Sequence, residues 1–174
     1  TTLSSCASRQ LEEVTFRRAT ISVPELMATA GKYFRKVYKG NKAHIDFKIQ
    51  LLEGRITGDW NQLRFLLENL IDEACSVTLD GAVCLSARED GEFIRFLFTD
   101  MRREKTREEL NQLFYPDLSR MTAGEKGELY GTEYLVCKQI IRDHDEFAGR
   151  RGCRINAEPG KEGGFTIYFT LPKK

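Results

Sequence analysis

The feature that most constrains the fold is a helical pattern of apolar residues that begins just after Asp59. Its members recur at intervals of three and four: Leu63, Leu66, Leu67, Leu70, Ala74 and Val77. This spacing puts them on one stripe of a helix, and that stripe must be buried against another layer of structure. Asp59 is suited to cap the helix, because an Asp side chain accepts hydrogen bonds from the first free N–H groups. We therefore predict an amphipathic helix over residues 59–77.

Strand patterns supply the second layer. Residues 44–51 alternate between apolar and polar, and Asp90-Gly91 favours a tight hairpin turn. The five main strands are predicted at residues 44–51, 82–89, 92–99, 152–157 and 164–171. Besides residues 59–77, helices are predicted at residues 23–38 and 132–144, with a short helix at 107–114 and a short strand at 54–57. The predicted fold is α+β, a two-layer α/β sandwich whose mixed sheet of about five strands carries helices on one face.

Composition excludes several classes of function. The 174 residues are 41% hydrophobic and 30% charged, which is typical of one soluble domain. A net charge of +1 lacks the excess of basic residues that is typical of nucleic-acid-binding domains. No apolar run approaches the roughly 18 residues of a membrane span. We therefore expect neither nucleic-acid binding nor membrane contact by this chain. Five cysteines without a CxxC pair favour reduced thiols over disulfides or a zinc site.

Four motifs follow one another along the chain, at residues 58–74, 96–100, 131–141 and 158–172. In this order they resemble the N box, the start of the first glycine box, the second glycine box and the terminal hairpin of one ATPase domain. That domain is shared by sensor histidine kinases, DNA gyrase, the heat-shock chaperone of the ninety-kilodalton class and mismatch-repair proteins. The resemblance covers residues 18–174. Residues 1–17 are interpreted as an N-terminal tail, with the end of a dimerisation helix as one candidate for it.

The resemblance implies ATP and Mg²⁺ as ligands and assigns five candidate positions to them. Asn69 and Glu73 lie four residues apart on one helix face and correspond to the Mg²⁺-binding and catalytic positions, although the family usually has Asn where this chain has Glu73. The alternative for Asn69 is a polar residue on a solvated helix face. Asp100 corresponds to the acceptor of the adenine amine. Gly131 belongs to the phosphate side, where Lys126 either adds positive charge or is an ordinary surface residue.

Departures from the family pattern indicate a degenerate site. Arg102 and Glu104 stand where the resemblance calls for glycines, which would allow the backbone to approach the base closely. Glu133 stands at a further glycine position and places negative charge in the first turn of a helix, where phosphate would bind. The family's phosphoacceptor His-Glu-x-x-x-Pro context is absent from the chain. We therefore expect ATP and Mg²⁺ to bind weakly or not at all.

The function implied is that of a pseudokinase-like domain of a bacterial sensor histidine kinase, a regulatory or scaffolding module in two-component signal transduction. The alternative is an active Mg-ATP-binding catalytic domain, so enzymatic activity stays open at this point. Expected partners are other domains of the parent sensor, a response regulator or a second copy of the chain. The expected location is the cytoplasm, as one domain of a longer protein that can be membrane-anchored.

Overall fold

The computed structural model describes residues 15–41, 43–115, 122–123, 129–130 and 132–174. Within them the strands are β1 (Ala19–Ser22), β2 (Ile45–Ile49), β3 (Arg55–Gly58), β4 (Gly81–Asp90), β5 (Phe93–Asp100), β6 (Thr122–Ala123), β7 (Leu129–Tyr130), β8 (Ile155–Pro159) and β9 (Phe165–Pro172). The helices are α1 (Val23–Val37), α2 (Trp60–Cys75), α3 (Arg107–Gln112) and α4 (Glu133–Phe147). None of these helices is long and apolar enough to cross a membrane.

Five strands form the main sheet in the order β2-β4-β5-β9-β8. β2 runs parallel to β4, and the other neighbours are antiparallel, so the sheet is mixed. Gly91 lies in the tight turn between β4 and β5 with a φ of 61°. The predicted five-stranded mixed sheet is confirmed, with strand ends that differ from the predicted ones by at most three residues. Two further pairs, β1 with β3 and β6 with β7, form small separate sheets.

One face of the sheet carries the helices. Along β5, Ile94, Phe96 and Phe98 are buried, and the residues between them are only partly buried. Phe96 stacks on Phe169 of β9 with ring centroids 5.0 Å apart. α2 packs against both α1 and α4, which closes the helix layer over this core. Asp100 is the next member of the buried series in β5, so its carboxylate points toward the helices.

Several element boundaries differ from the prediction. The helix predicted at 132–144 continues to Phe147, and Gly149 follows with a φ of 96°. Asp145 stabilises the turn beyond this longer helix by accepting hydrogen bonds from Gly152 N and Cys153 N. The helix predicted at 107–114 ends at Gln112, and that predicted at 59–77 ends at Cys75. β1 was not predicted, because its four residues give no readable period.

Candidate functional site

Helix α2 begins as its sequence predicts and places the first candidate residue in the interior. The Asp59 side chain accepts a hydrogen bond from Gln62 N at 3.1 Å, which caps the helix. Three turns along, Asn69 is only 3% exposed, and its Nδ2 donates to Phe65 O at 2.7 Å. The interpretation of Asn69 as a residue on a solvated helix face is therefore wrong.

The carboxylate of Asp100 is surrounded by the two arginines that follow it. Oδ1 accepts from Arg102 N and Arg102 Nε, both at 3.0 Å. Oδ2 accepts from Arg102 Nη2 and Arg103 Nε, both at 2.9 Å. An ionised carboxylate offers about four acceptor sites, so these bonds saturate it. Burial opposes ionisation of Asp100, but the hydrogen bonds from Arg102 and the charges of both arginines hold its pKa below the usual range.

Arg102 also fastens the C-terminal end of α2. Its side chain is 1% exposed, and its guanidinium donates to three main-chain carbonyls: Ala74 O at 2.6 Å, Leu79 O at 2.8 Å and Val77 O at 3.3 Å. These are carbonyls at and beyond the end of a helix, which would otherwise lack donors. A Cβ on Gly81 would lie 2.8 Å from Arg102 Cγ, so the absence of a side chain there makes room for the arginine stem. Arg102 is thus a built-in structural residue and not a loose surface side chain.

Arg103 joins the two acidic candidates of the site. Its Nη1 and Nη2 donate to the two carboxylate oxygens of Glu73 at 2.9 and 2.8 Å, while its Nε reaches Asp100. Both side chains of the Arg103–Glu73 pair are less than a fifth exposed. Burial alone would lower the pKa of Arg103, but Glu73 raises it on balance. Burial first, and then Glu73, raise the pKa of the neighbouring Tyr134 hydroxyl. Glu73 and Asp100 therefore belong to one ionic network.

The other residues singled out from the sequence are two departures from the family pattern, Glu104 and Glu133, and two candidate residues, Gly131 and Lys126. Glu104 Oε1 accepts a hydrogen bond from Gly164 N at 2.8 Å, so the segment after β5 is tied to the start of β9. Glu133 is the first residue of α4, as predicted. Gly131 and Lys126 lie outside the described residues.

Sequence reasoning singled out Arg102 but missed Arg103. Arg103 could have been found from Glu73. The resemblance calls for an amide at that position, and a largely buried acid there requires a cationic partner. Two consecutive arginines, separated from Asp100 only by Met101, supply such a partner for each acid. Only the fold, however, brings a residue of α2 within reach of a residue that follows β5.

Comparison with known proteins agrees with this architecture. The sequence profile of the histidine kinase-, DNA gyrase B- and HSP90-like ATPase family matches residues 58–174. The chain therefore belongs to this family, whose domains bind ATP with Mg²⁺. The similar proteins described below are sensory or histidine kinases by name.

Individual relatives point the same way. The chain is 29% identical over 137 residues to the adaptive-response sensory kinase SasA of Thermosynechococcus vestitus, which covers 78% of this chain and 34% of SasA. The chain thus spans about a third of the length of that relative. The nucleotide-free catalytic domain of histidine kinase ThkA superposes with a TM-score of 0.69 at 21% identity, covering 90% of this chain and 96% of that one.

Two further structures share the fold. The mycobacterial sensor histidine kinase MprB gives a TM-score of 0.68 at 16% identity, covering 91% of this chain and 99% of that one. ThkA in complex with the response regulator protein TrrA gives 0.74 at 18% identity, covering 99% of this chain and 46% of that one. At these identities the structural similarity establishes the fold.

The two carboxylates that the family pattern assigns to the nucleotide are already engaged by arginines in this structure. An adenine amine would need a free acceptor on Asp100, and both of its oxygens already accept two hydrogen bonds each. A Mg²⁺ ion would need an oxygen of Glu73, and both are engaged by Arg103. Binding of either ligand at these carboxylates would therefore break hydrogen bonds of the ionic network.

Proposed function

We propose that this chain is a pseudokinase-like domain of a sensor histidine kinase, impaired in ATP binding, that acts as a regulatory or scaffolding module in signal transduction. The observation that carries this proposal is the saturated carboxylate of Asp100. Arg102 and Arg103 donate to the same carboxylate oxygens that the family pattern assigns to the adenine amine, which supports impaired binding. Because Arg102 makes three further hydrogen bonds to main-chain carbonyls, its removal from Asp100 would also release the end of α2.

The metal and phosphate sides support the same proposal. Asn69 and Glu73 are the proposed Mg²⁺ positions, but Glu73 is held by two hydrogen bonds from Arg103. The first turn of α4 carries Glu133, whose charge uses the positive end of the helix dipole and opposes a phosphate there. Gly131 and Lys126 are proposed for the phosphate side on the resemblance alone.

A calorimetric titration with Mg-ATP tests the proposal. The variant with Glu73→Asn, Arg102→Gly, Glu104→Gly and Glu133→Gly should bind measurably better than the natural sequence. Each charge-assisted contact that ATP forgoes is worth about 1.5–3 kcal/mol, and each 1.4 kcal/mol is about tenfold in affinity. Loss of two such contacts takes a micromolar site to roughly millimolar. A variant with Arg151→Gly, which changes an arginine outside the network, serves as the control and should bind no better than the natural chain.

The competing function is an active Mg-ATP-binding catalytic domain. It is favoured by Asn69, which lies buried on the intact α2 helix at the position that the family pattern requires. In that case Arg102 would leave Asp100 and pair with a phosphate. Micromolar binding of Mg-ATP by the natural chain would establish this alternative and overturn the first.

Partners and location follow from the same proposal. The chain is proposed to work in the cytoplasm as one domain of a longer sensor, with residues 18–174 as the domain and residues 1–17 as its N-terminal tail. Its proposed partners are neighbouring domains of that sensor, a response regulator or a second copy of itself. Light scattering of the purified chain at increasing concentration tests self-association, and a constant monomer mass would exclude it.

A further inference from the structure

Residues 15–18, termed the leading segment, cross the junction between the start of α2 and the end of α4. The Phe16 ring lies edge-on against the His144 ring, with centroids 4.8 Å apart and an interplanar angle of 78°. It also lies 5.8 Å from the ring of Phe147. Arg17 N donates to Asp59 Oδ2 at 2.9 Å. The leading segment is therefore attached both by an aromatic contact and by a hydrogen bond.

Asp59 connects three parts of the molecule at this junction. Its Oδ1 caps α2 through Gln62 N, while its Oδ2 holds Arg17 N of the leading segment. Its own N–H donates to His144 Nε2 of α4 at 3.0 Å. Asp59 is 5% exposed, and burial strengthens such hydrogen bonds relative to water. A displacement of the leading segment therefore changes the group that also fixes the first turn of α2.

His144 is tightly packed at the junction. The residue is fully buried, and its Nδ1 lies 2.8 Å from Ile140 O. Because Nε2 accepts from Asp59 N, the proton of the neutral ring is assigned to Nδ1, which donates to that carbonyl. A Cβ on Gly58 would lie 3.0 Å from the His144 ring, so the main chain packs directly on the imidazole. Phe16, His144 and Asp59 consequently form one chain of direct contacts.

The opposite end of α2 is held by Arg102. Its guanidinium bonds Ala74 O and Val77 O, so α2 is fixed by the leading segment at one end and by the arginine network at the other. The helix has 16 residues and is about 24 Å long. We propose that the leading segment is a strap: while docked on Asp59 and His144 it keeps α2 in the position in which Arg102 holds Asp100, and its withdrawal loosens that hold. The occupant of this surface is the chain's own leading segment, residues 15–18. The proposed coupling by the strap does not depend on whether the domain binds nucleotide.

A double-mutant cycle in the 174-residue chain tests this coupling. Phe16→Ala, Arg102→Ala and the combination are unfolded in urea and followed by the fluorescence of Trp60, the single tryptophan, which adjoins Asp59. Substitutions far apart are usually additive to within about twofold in the unfolding equilibrium constant. The strap predicts a departure of at least about fivefold, the lower end of typical coupling between sites. Additivity to within twofold would overturn the proposal.

Phe93 provides the matched control. It is a partly buried phenylalanine at the start of β5, about 23 Å along the strand from Asp100. A cycle of Phe93→Ala with Arg102→Ala should be additive to within twofold. A coupling as large as that of Phe16 would show that the effect is general loosening, and the strap would be rejected.

Hydrogen exchange supplies a second measurement, in case a double variant fails to fold. In Phe16→Leu, amides at both ends of α2 should exchange at least about fivefold faster than in the natural chain, the same lower end of coupling between sites. Phe93→Leu should leave them unchanged. Acceleration confined to the first turn of α2 would mean that the leading segment is only a local support, and the proposal would fail.

Discussion

Removal of the Arg102 side chain is the most informative single perturbation of this domain. Arg102→Ala deletes two side-chain hydrogen bonds to Asp100 and three to main-chain carbonyls. The side chains of Arg102 and Asp100 are each 1% exposed. Loss of one partner from a buried ion pair costs about 3–5 kcal/mol, because the remaining charge stays buried. Arg103 still bonds Asp100, so we expect the lower end, about 3 kcal/mol.

Urea unfolding at neutral pH measures this loss. With a slope of about 2 kcal/mol per molar urea for a domain of this size, the midpoint should fall by about 1.5 M and the slope should stay constant. Arg151→Ala is the matched control: that side chain is 76% exposed and pairs with Asp145 at 2.9 Å, so its loss should cost no more than about 1 kcal/mol.

A second variant separates charge from packing. Arg102→Met keeps an unbranched stem against Gly81 but donates no hydrogen bond, so we expect it to lose nearly as much stability as the alanine variant. If Arg102→Ala lowers the midpoint no more than Arg151→Ala does, the network contributes little to folding and the reasoning fails. If methionine restores the natural midpoint, the contribution of Arg102 is packing.

Three further predictions concern the same region. Asp100→Asn should cost less in urea unfolding than Arg102→Ala, about 1–3 kcal/mol, because Arg102 keeps its carbonyl acceptors and Arg103 keeps Glu73; a larger cost for Asp100→Asn would contradict this. Because the pKa of Asp100 is lower when folded than when unfolded, its stabilising contribution is present above about pH 4 and is lost as the pH falls through the folded value. Urea midpoints measured from pH 6 to pH 2.5 should therefore fall more steeply for the natural chain than for Asp100→Asn, and equal slopes would refute the linkage. Gly164→Ala should lower the melting temperature far more than Gly40→Ala. Both glycines have a φ near 70°, so the backbone strain of an alanine is similar at the two positions. A Cβ at Gly164 would lie 2.1 Å from Asp100 O, whereas a Cβ at Gly40 would have nothing within 4 Å. Similar melting temperatures for the two variants would rule out that steric conflict.

The fold was largely predictable because its signals are local. The apolar stripe of α2, the cap at Asp59 and the alternation in β2 each depend on residues a few positions apart, and each is confirmed. The ends of elements were less predictable. α4 extends beyond the predicted residue 144, where Asp145 accepts hydrogen bonds from Gly152 N and Cys153 N, and such pairing has no period in the sequence.

Two residues of the candidate site could be selected from the sequence, but their contacts could not. Asp100 and Glu73 were selected by resemblance, and the structure brings them into one network. Their shared partner Arg103 was missed, because the contact joins residues 30 positions apart that only the packing of α2 on the sheet brings together. Asn69 was given a solvated alternative because a polar residue in a helix is usually exposed, and its burial depends on tertiary packing.

The paired arginines also constrain how such a sequence can evolve. Glu73→Asn alone leaves the Arg103 guanidinium without its bidentate partner, and Arg102→Gly alone leaves three carbonyls and half of a buried carboxylate unmatched. Each of these two single steps toward the family pattern should therefore lower the stability of the fold, and under the proposed function a gain in ligand affinity would need several steps combined. The network is therefore difficult to lose by single substitutions. A protein that contains the network would lose it only through less stable intermediates, or after stabilising substitutions elsewhere in the fold.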